Sequence, residues 1–404
     1  MRAFHLSSSL LLILIGTLMI ACELVNPTSS PTGQSSRLPS RTAGFSRTNP
    51  GPGLEMLTRS YRAKDILERR AKEKSDVWRD GDELTFSFEG QADRVTLCCG
   101  LQDDLIPALN EDGAPSSTVW ALTARILDLD RAVITVSYIA TRNGLSSDRI
   151  NGRVWRGPNA PTAPTQTQRL RGTERRVEIY SNALLEKRVV WLYLPPNHDP
   201  KKKTRVVYLA DGASVPGLAR VLEPAILAGR LPAVILVGAE PGLSSGPDAM
   251  DISRNTRAQE YLPDVNPARF RAHETFFVEE LRAWAESQFG ASNKREDRVV
   301  NGFSNGGQFA LQMGLRHPEV YAHVVPVSIA GKTFPLTRAA LGVVPADFFL
   351  VAGTLEPYIK QSRFFSTELQ RAGARTKSSE WVSGHDVQVW VETLPAALEW
   401  VWAK

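Results

Sequence analysis

The spacing of apolar residues predicts short, half-buried strands between residues 76 and 140. Apolar side chains in this region alternate with polar ones, as they do in strands with one buried face. The alternating sets are Leu84, Phe86 and Phe88; Val95, Leu97 and Cys99; and Ile134, Val136 and Tyr138. Turn signals separate them at Asp80-Gly81, Asp112-Gly113 and Asn143-Gly144. This spacing predicts a small all-β sandwich domain.

The pattern changes after residue 172, where apolar runs alternate with amphipathic stretches. Two hairpin-like strands precede a series of apolar strands; the predicted strands are 176–180, 188–194, 205–210, 233–238, 298–301, 323–328 and 347–352. Several runs are apolar on both faces, as a sheet covered by helices requires. A helix is expected over 273–289, with Phe277, Leu281 and Trp284 as its buried stripe. The expected fold class is α/β, a doubly wound sheet preceded by the small all-β sandwich.

The first residues have the pattern of a targeting segment. Arg2 gives a basic start, and residues 10–20 form an apolar core too short to span a membrane. Ala21-Cys22 follows this core, and a small residue before a cysteine resembles the bacterial lipobox. Cys22 is then expected to become the lipidated first residue of the mature protein. The alternative is an ordinary signal peptide with a chance cysteine.

Composition suggests where the regions of the chain begin and end. Pro, Ser, Thr and Gly crowd the stretch after Cys22, and such a composition acts as a tether because it cannot bury a core. A second Pro-rich stretch separates the two predicted domains. The expected organisation is signal peptide 1–21, lipidated N-terminus and tether 22–58, sandwich domain 59–155, linker 156–172 and α/β domain 173–404.

Charge and cysteine content exclude some classes of function. Much of the net charge of +5 comes from residues 59–74, with seven basic and three acidic side chains. This segment is either a solvated helical face or a contact with an anionic membrane surface. Nothing in it is patterned for nucleic acid. Cys98 and Cys99 are adjacent on a strand and face opposite ways, so no disulfide framework is expected, and Cys99 is assigned to the core. No metal-ligand cluster is present, and no cofactor is expected.

The candidate chemistry starts at Ser304. Gly302-x-Ser304-x-Gly306 follows an apolar strand and opens a helix. This is the G-x-S-x-G pattern, in which a strained strand-to-helix turn holds the serine exposed. A serine in that position becomes a nucleophile when a base takes its proton. The backbone amide of Asn305, at the positive end of the following helix, is a candidate donor to a developing oxyanion.

The base is expected to follow the serine in the chain. Three histidines do so: His317, His323 and His385. His317 precedes a proline at a helix end, where it is better explained by the charge of that terminus. His323 enters an apolar strand and is better explained as a core or edge residue. His385 lies in a loop between a strand and the last helix, so it is the candidate base.

Two carboxylates compete for the role of the acid that orients His385. Glu356 lies just beyond the strand 347–352, on a loop that can reach a histidine on the next loop of the sheet. Asp386 is adjacent to His385, but a sequence neighbour rarely folds back onto the adjacent ring. The prediction favours Glu356 over Asp386.

Two further loops are expected near this serine. A second oxyanion donor comes from an earlier strand-helix loop, and the amide of Ala213, after strand 205–210, is the candidate. Arg257 and Glu260 lie in the long polar connection between the strand at 233 and the helix at 273. They form either an ion pair that shapes the substrate mouth or a surface pair.

From residue 173 onward the chain resembles the esterase D type of α/β-hydrolase, a group that includes enterochelin, feruloyl and acetyl-xylan esterases, S-formylglutathione hydrolases and mycolyltransferases. The matching pieces are residues 190–196, 209–212, Arg257 with 260–263, 279–281, 302–307, 316–319, 352–356 and 384–386. The resemblance implies a triad of Ser304, Glu356 and His385, with the amides of Ala213 and Asn305 as the oxyanion hole. The segment after Asp211-Gly212 lacks the aromatic residue common in that group, so the substrate mouth is expected to differ.

The resemblance extends more weakly to the N-terminal domain, which looks like the immunoglobulin-like domain that precedes the hydrolase in enterochelin esterases. The expected function is therefore a serine carboxylic ester hydrolase that works through an acyl-enzyme. Its expected substrate is a small-molecule or glycan ester met in the envelope, of the siderophore or acylated-polysaccharide type, with the membrane reached through a lipid anchor. A catalytically silent envelope lipoprotein that binds a ligand through the sandwich is the competing class.

Overall fold

The computed structural model describes residues 51–147, 150–244, 248 and 251–403, without the side chains of Cys99 and Asn151. The predicted signal peptide, Cys22 and most of the expected tether therefore lie outside the described residues. So does the side chain of Cys99, which was expected in the core. Within the described residues, no helix is both long and apolar enough to cross a membrane.

The N-terminal domain is built almost entirely of antiparallel strands. Its elements are β1 Leu54–Leu57, α1 Ala63–Glu73, β2 Val77–Asp80, β3 Glu83–Glu89, β4 Arg94–Cys99, β5 Asp103–Asp104, β6 Ile106–Leu109, β7 Pro115–Ile126, β8 Val133–Arg142, β9 Leu145–Ser146 and β10 Ile150–Arg156. In the part of the chain described, the strands form two five-stranded sheets, β1-β7-β3-β2 with β6 beside β7, and β10-β8-β4-β5 with β9 beside β8.

One core lies between these sheets and confirms the predicted alternation. Leu84, Phe86 and Phe88 of the first sheet pack in the same cluster as Val95, Leu97, Ile134, Val136 and Tyr138 of the second. The turns also form where the sequence predicts them. Gly81, Gly113 and Asn143-Gly144 have positive φ angles, which glycine and asparagine adopt most readily. Local sequence therefore sets the hairpins β2–β3, β6–β7 and β8–β9 of this domain.

The boundary between tether and domain lies earlier in the chain than expected. The expected tether includes residues 51–58, but Leu54–Leu57 pairs antiparallel with β7 from Leu54↔Ile126 to Leu57↔Thr123. The backbone N–H of Gly51 also donates to the carbonyl oxygen of Leu355 in the C-terminal domain. Composition could not reveal this strand because its pairing partner is remote in sequence.

The basic segment contains helix α1, which packs against the first sheet through Ala63 and Ile66. Some of its cations pair within the domain. Arg69 pairs with Glu73 and Asp80, and the guanidinium of Arg70 donates to the carbonyl and hydroxyl oxygens of Ser87. These contacts fit the solvated helical face rather than the membrane contact.

Cys98 corrects a second expectation. Its sulfur is disulfide-bonded, although adjacent cysteines on a strand gave no reason to expect a bond. Cys98 is buried in a cluster that also contains residues of the C-terminal domain, so this part of strand β4 lies at the contact between the domains.

The C-terminal domain is a mixed sheet with helices on both faces. Its strands are β11 Thr173–Ser181, β12 Glu186–Leu194, β13 Arg205–Ala210, β14 Val234–Ala239, β15 Arg298–Phe303, β16 His323–Val327, β17 Asp347–Gly353 and β18 Thr376–Trp381. Its helices are α2 Val215–Leu227, α3 Thr256–Tyr261, α4 Pro267–Thr275, α5 Arg282–Phe289, α6 Asn305–Arg316, α7 Ile359–Ala372 and α8 Val387–Val401. Short 3₁₀ turns lie at Leu129–Arg131, Gly212–Ser214, Arg295–Asp297 and Ala339–Leu341, and a π-helical turn, Phe276–Leu281, joins α4 to α5.

Strand order in this sheet confirms the predicted fold class. Among the described residues the sheet has eight strands in the order β11-β12-β14-β13-β15-β16-β17-β18. The first two strands form a hairpin, β12 pairs antiparallel with β14, and the remaining pairs are parallel. Separate apolar clusters cover the two faces of the sheet, as a doubly wound domain requires. The helix expected from residue 273 begins earlier, where the side chain of Asn266 caps Arg269 N.

Candidate active site

The turn at Ser304 has the backbone that the G-x-S-x-G pattern predicts. Ser304 has φ 62° and ψ −123°, between strand β15 and helix α6, a conformation unfavourable for a residue with a side chain. A Cβ on Gly302 would overlap the carbonyl oxygen of Gly306, and one on Gly307 would overlap that of Val327. Ser304 N donates to Val327 O of the neighbouring strand at 2.9 Å. The surrounding fold therefore imposes the strained turn.

The structure brings Glu356 and His385 together, 29 positions apart in the chain. Oε2 of Glu356 lies 2.7 Å from Nδ1 of His385, and Oε1 accepts a hydrogen bond from Gly353 N at 3.1 Å. Glu356 is fully buried and the His385 side chain is 11% exposed. A buried carboxylate held by the backbone fixes the ring that it contacts, and the Nδ1 contact directs Nε2 away from Glu356.

Aromatic neighbours fix the plane of the His385 ring. The ring stacks on Phe303 with centroids 4.6 Å apart, and Tyr358 meets it edge-on at 5.0 Å. Phe303 in turn stacks on Trp390 of helix α8. Because Phe303 directly precedes Ser304, this stack links the position of the histidine to the nucleophile turn.

Asp386, the rival acid, turns away from His385. Its Oδ2 accepts a hydrogen bond from Thr135 N at 2.6 Å, and its Oδ1 accepts from the Thr135 hydroxyl at 2.8 Å and from Gln388 N at 2.9 Å. Complete burial raises the pKa of Asp386, opposed by these hydrogen bonds. Its partner Thr135 belongs to the N-terminal domain, 251 positions earlier in the chain. The residues next to Asp386 in the sequence therefore gave no sign of this contact.

The other two histidines lie where the sequence predicted. His317 follows helix α6 and its Nε2 lies 2.9 Å from Oε1 of Glu274. His323 is buried in strand β16, with Nε2 3.1 Å from the carbonyl oxygen of Glu296. Both rings therefore have structural partners.

The two candidate oxyanion donors lie on adjacent loops. Ala213 belongs to the 3₁₀ turn after strand β13, and Asn305 is the first residue of helix α6 after strand β15. Strands β13 and β15 are parallel neighbours, so both loops leave the same edge of the sheet. A Cβ on Gly306 would lie 2.7 Å from Oδ2 of Asp211, which shows how closely the loops approach. The first amides of a helix have no intrahelical acceptor and can serve an anion.

Arg257 does not pair with Glu260, which corrects the expected ion pair. Its Nε and Nη2 instead donate to the two carboxylate oxygens of Asp211 at 2.7 and 2.8 Å, and Nη2 also donates to Phe303 O at 3.1 Å. Arg257 is 5% exposed and Asp211 is fully buried. The guanidinium therefore joins the oxyanion loop to the nucleophile turn instead of lying on the surface.

Asp211 is held from its backbone as well. Its φ of 65° lies in the left-handed region, and its N–H donates to the hydroxyl of Tyr261 at 2.9 Å. Tyr261 and Arg257 both belong to helix α3, so this short helix fixes the loop that carries Ala213. Sequence reasoning missed both partners of Asp211. The available signal was an Asp-Gly dipeptide at the end of a buried strand.

Glu260 is fully buried in a separate charge network. It pairs with Arg188 and Arg269, and its Oε2 accepts a hydrogen bond from Gly242 N at 2.8 Å. Burial raises the pKa of Glu260, while the nearby arginines oppose that shift. The carboxylate thus anchors the loop after strand β14. The expected surface pair is also incorrect, because neither Arg257 nor Glu260 is exposed.

Among the described residues, the candidate active site has no set of side chains that could bind a metal ion. Across the described ranges of the chain, no group of three or more His, Cys, Asp and Glu side chains could hold a metal ion. The loops at this edge of the sheet carry a hydroxyl, an imidazole paired with a carboxylate, and backbone amides. These are the components of acyl transfer to a serine.

Comparisons with known proteins agree with this architecture. Residues 181–335 match the protein-family model described as "Esterase: Putative esterase". The enterobactin esterase FES from Shigella flexneri, solved in the presence of enterobactin, is 19% identical with a TM-score of 0.59, covering 82% of this chain and 97% of that chain. Ferric enterobactin esterase from Salmonella typhimurium is 18% identical with a TM-score of 0.56, covering 87% of this chain and 96% of that chain.

The fold and the family match define an esterase-type α/β-hydrolase. At this level of identity the solved structures establish the fold alone, and the family match covers residues 181–335. The protein is a carboxylic ester hydrolase whose catalytic domain follows an N-terminal β domain.

Replacing Ser304 by glycine tests the strain of the turn. A side chain in this φ region costs on the order of 1–3 kcal/mol, against roughly 0.5–1 kcal/mol for the flexibility of glycine in the unfolded chain. Ser304→Gly is therefore expected to be about 1 kcal/mol more stable than Ser304→Ala, which loses the hydroxyl but keeps the Cβ. Denaturant unfolding of the two variants measures this difference. Equal stabilities would mean that the turn is relaxed.

Proposed function

We propose that the protein hydrolyses carboxylic esters through an acyl-serine intermediate. Ser304 is the nucleophile, His385 is the general base and acid, and Glu356 orients His385. The backbone amides of Ala213 and Asn305 hold the oxyanion. The observation that carries this proposal is the 2.7 Å contact between a fully buried Glu356 and His385, whose ring stacks on the residue preceding a strained Ser304.

The proposed reaction has two steps, each with a balanced proton transfer. In the first, the Ser304 hydroxyl adds to the ester carbonyl while its proton passes to Nε2 of His385. The tetrahedral intermediate collapses, and the same proton leaves with the alcohol. In the second, His385 takes a proton from the water that attacks the acyl-serine. When this second tetrahedral intermediate collapses, His385 returns the proton to the Ser304 oxygen, and the acid and the free hydroxyl are released. Glu356 stays ionised throughout and stabilises the imidazolium.

Labelling by a fluorophosphonate probe tests the nucleophile. Wild type is expected to react covalently, and Ser304→Ala to lose labelling completely because no other activated serine is proposed. Gel fluorescence of the purified proteins measures both. Equal labelling of the two, or none of the wild type, would favour the silent lipoprotein that binds a ligand through its β domain.

Replacing each carboxylate separates the acid from its rival. Glu356→Gln should lower kcat by about 10³- to 10⁴-fold, because the orienting carboxylate selects the productive tautomer of His385. Asp386→Asn should cost much less, about tenfold, because Asp386 faces Thr135 and Gln388 and not the ring. Steady-state hydrolysis of a p-nitrophenyl ester compares the two. The reverse ranking would transfer the role of the acid to Asp386.

We further propose that the enzyme is anchored outside the cytoplasm by lipidated Cys22. The support is the sequence of the first residues, a short apolar core that ends in Ala21-Cys22. An enzyme in that location meets esters of the envelope, so siderophore esters and acylated polysaccharides are the proposed substrates. The similarity in fold to enterobactin esterases supports the siderophore class.

Fractionation of a bacterial host tests this location. Wild type is expected in the membrane fraction, and Cys22→Ala in the soluble or secreted fraction, because stable anchoring needs the acyl chains on Cys22. Immunoblots of separated fractions measure the distribution. Identical soluble partitioning of both proteins would remove the anchor and, with it, the argument for envelope substrates.

A further inference from the structure

Both loops that carry the acid and the base contact the N-terminal domain. The acid loop is 354–356 and the histidine loop is 382–386; they hydrogen-bond to each other through Leu355 N to Ser383 O at 3.0 Å. Loops of this kind usually run over the protein surface. Here a separate β domain supplies much of the support.

The histidine loop is tied down by strand β8. The carboxylate of Asp386 accepts hydrogen bonds from both the backbone N–H and the hydroxyl of Thr135, across 251 positions of sequence. Asp386 also caps helix α8 through Gln388 N. The helix cap requires only the contact with Gln388 N. The two hydrogen bonds from Thr135 are not part of the cap, and they attach the loop to the N-terminal domain.

Two further contacts reinforce this attachment in the residues that precede His385. Val133 N donates to Val382 O at 2.9 Å. Two residues further on, Gly384 packs directly on Gly100, so a Cβ on Gly384 would overlap the Gly100 carbonyl oxygen. The residue before His385 and the residue after it are therefore both in contact with the N-terminal domain.

The acid loop is attached in the same way. Leu355, which directly precedes Glu356, is 2% exposed and belongs to the core of the β-sandwich. Its carbonyl oxygen accepts a hydrogen bond from Gly51 N at 3.0 Å. Val382 packs against the same core. Displacing the sandwich would therefore expose apolar side chains next to the acid and in the histidine loop.

We propose that the N-terminal β domain is a positioning element of the active site, and that Thr135 is its positioning residue for His385. This inference rests on the proposed function of His385 and Glu356. Thr135 acts through Asp386. The two hydrogen bonds that Thr135 donates to this carboxylate fix the position and orientation of the loop that carries His385. Catalysis depends steeply on such placement, since a displacement of about 1 Å can cost on the order of 10²-fold in rate.

Thr135→Val removes the hydroxyl contact but keeps the shape of the side chain and its backbone N–H. Thr135→Ser keeps the hydroxyl, and Thr85→Val is the matched control. Thr85 is a buried threonine of the same domain whose hydroxyl lies 2.9 Å from that of Thr123, remote from both loops in the chain. All three variants leave the cap of helix α8 intact, so they separate positioning from helix stability.

In the full-length protein, we expect the Thr135→Val substitution to change kcat but not KM. With a p-nitrophenyl ester, Thr135→Val should lower kcat by about tenfold with KM within twofold, as expected for an interaction that matters in the transition state. Thr135→Ser should restore kcat to within about twofold of wild type, and Thr85→Val should leave it unchanged. A loss that Thr135→Ser does not rescue, or an equal loss in Thr85→Val, would overturn the proposal.

Backbone hydrogen–deuterium exchange gives a readout independent of hydrolysis. Amides in residues 380–390 and 353–358 should exchange about tenfold faster in Thr135→Val than in wild type. In Thr85→Val their exchange rates should equal those of wild type. Unchanged exchange in Thr135→Val overturns the inference even if the enzyme is active. If exchange is faster in Thr135→Val but the wild-type protein hydrolyses no ester, the attachment is upheld and the proposed function is refuted.

Discussion

The parallel order of four strands sets the position of every group at the candidate site. Strands β13, β15, β17 and β18 run in one direction, so the loops that follow them meet at one edge of the sheet. Those loops carry, in turn, Ala213, Ser304, Glu356 and His385. Sheet geometry brings such distant residues together, and each loop then needs local contacts to fix its side chain.

Buried carboxylates provide many of the local contacts that fix these loops. Asp211, Glu260 and Asp386 are all nearly or fully buried, and each accepts hydrogen bonds from a backbone N–H, an arginine or a hydroxyl. Removing Arg257 would leave the buried charge of Asp211 without its ion-pair partner, which costs about 3–5 kcal/mol. These carboxylates are therefore strong constraints on loop geometry, even where their net contribution to stability is small.

Sequence reasoning succeeded where the determining interactions are local. The strained turn at Ser304 depends on glycines within three positions, and the hairpin turns depend on Asp-Gly and Asn-Gly pairs. It failed where the partner is remote. Arg257 was paired with Glu260, three positions away, whereas its partner Asp211 lies 46 positions earlier. Strand Leu54–Leu57 was missed because its hydrogen bonds reach residues 123–126.

The position of Leu355 shows that the domains on either side of residues 156–172 share a core. In sequence this Pro-rich stretch separates two domains, but the side chain beside Glu356 belongs to the core on the other side of it. Cutting the chain there would expose Leu355 and deprive Asp386 of Thr135. The two domains therefore cannot be exchanged like interchangeable modules. A different N-terminal domain would have to offer these loops the same surface, with a donor for Asp386 and an apolar site for Leu355.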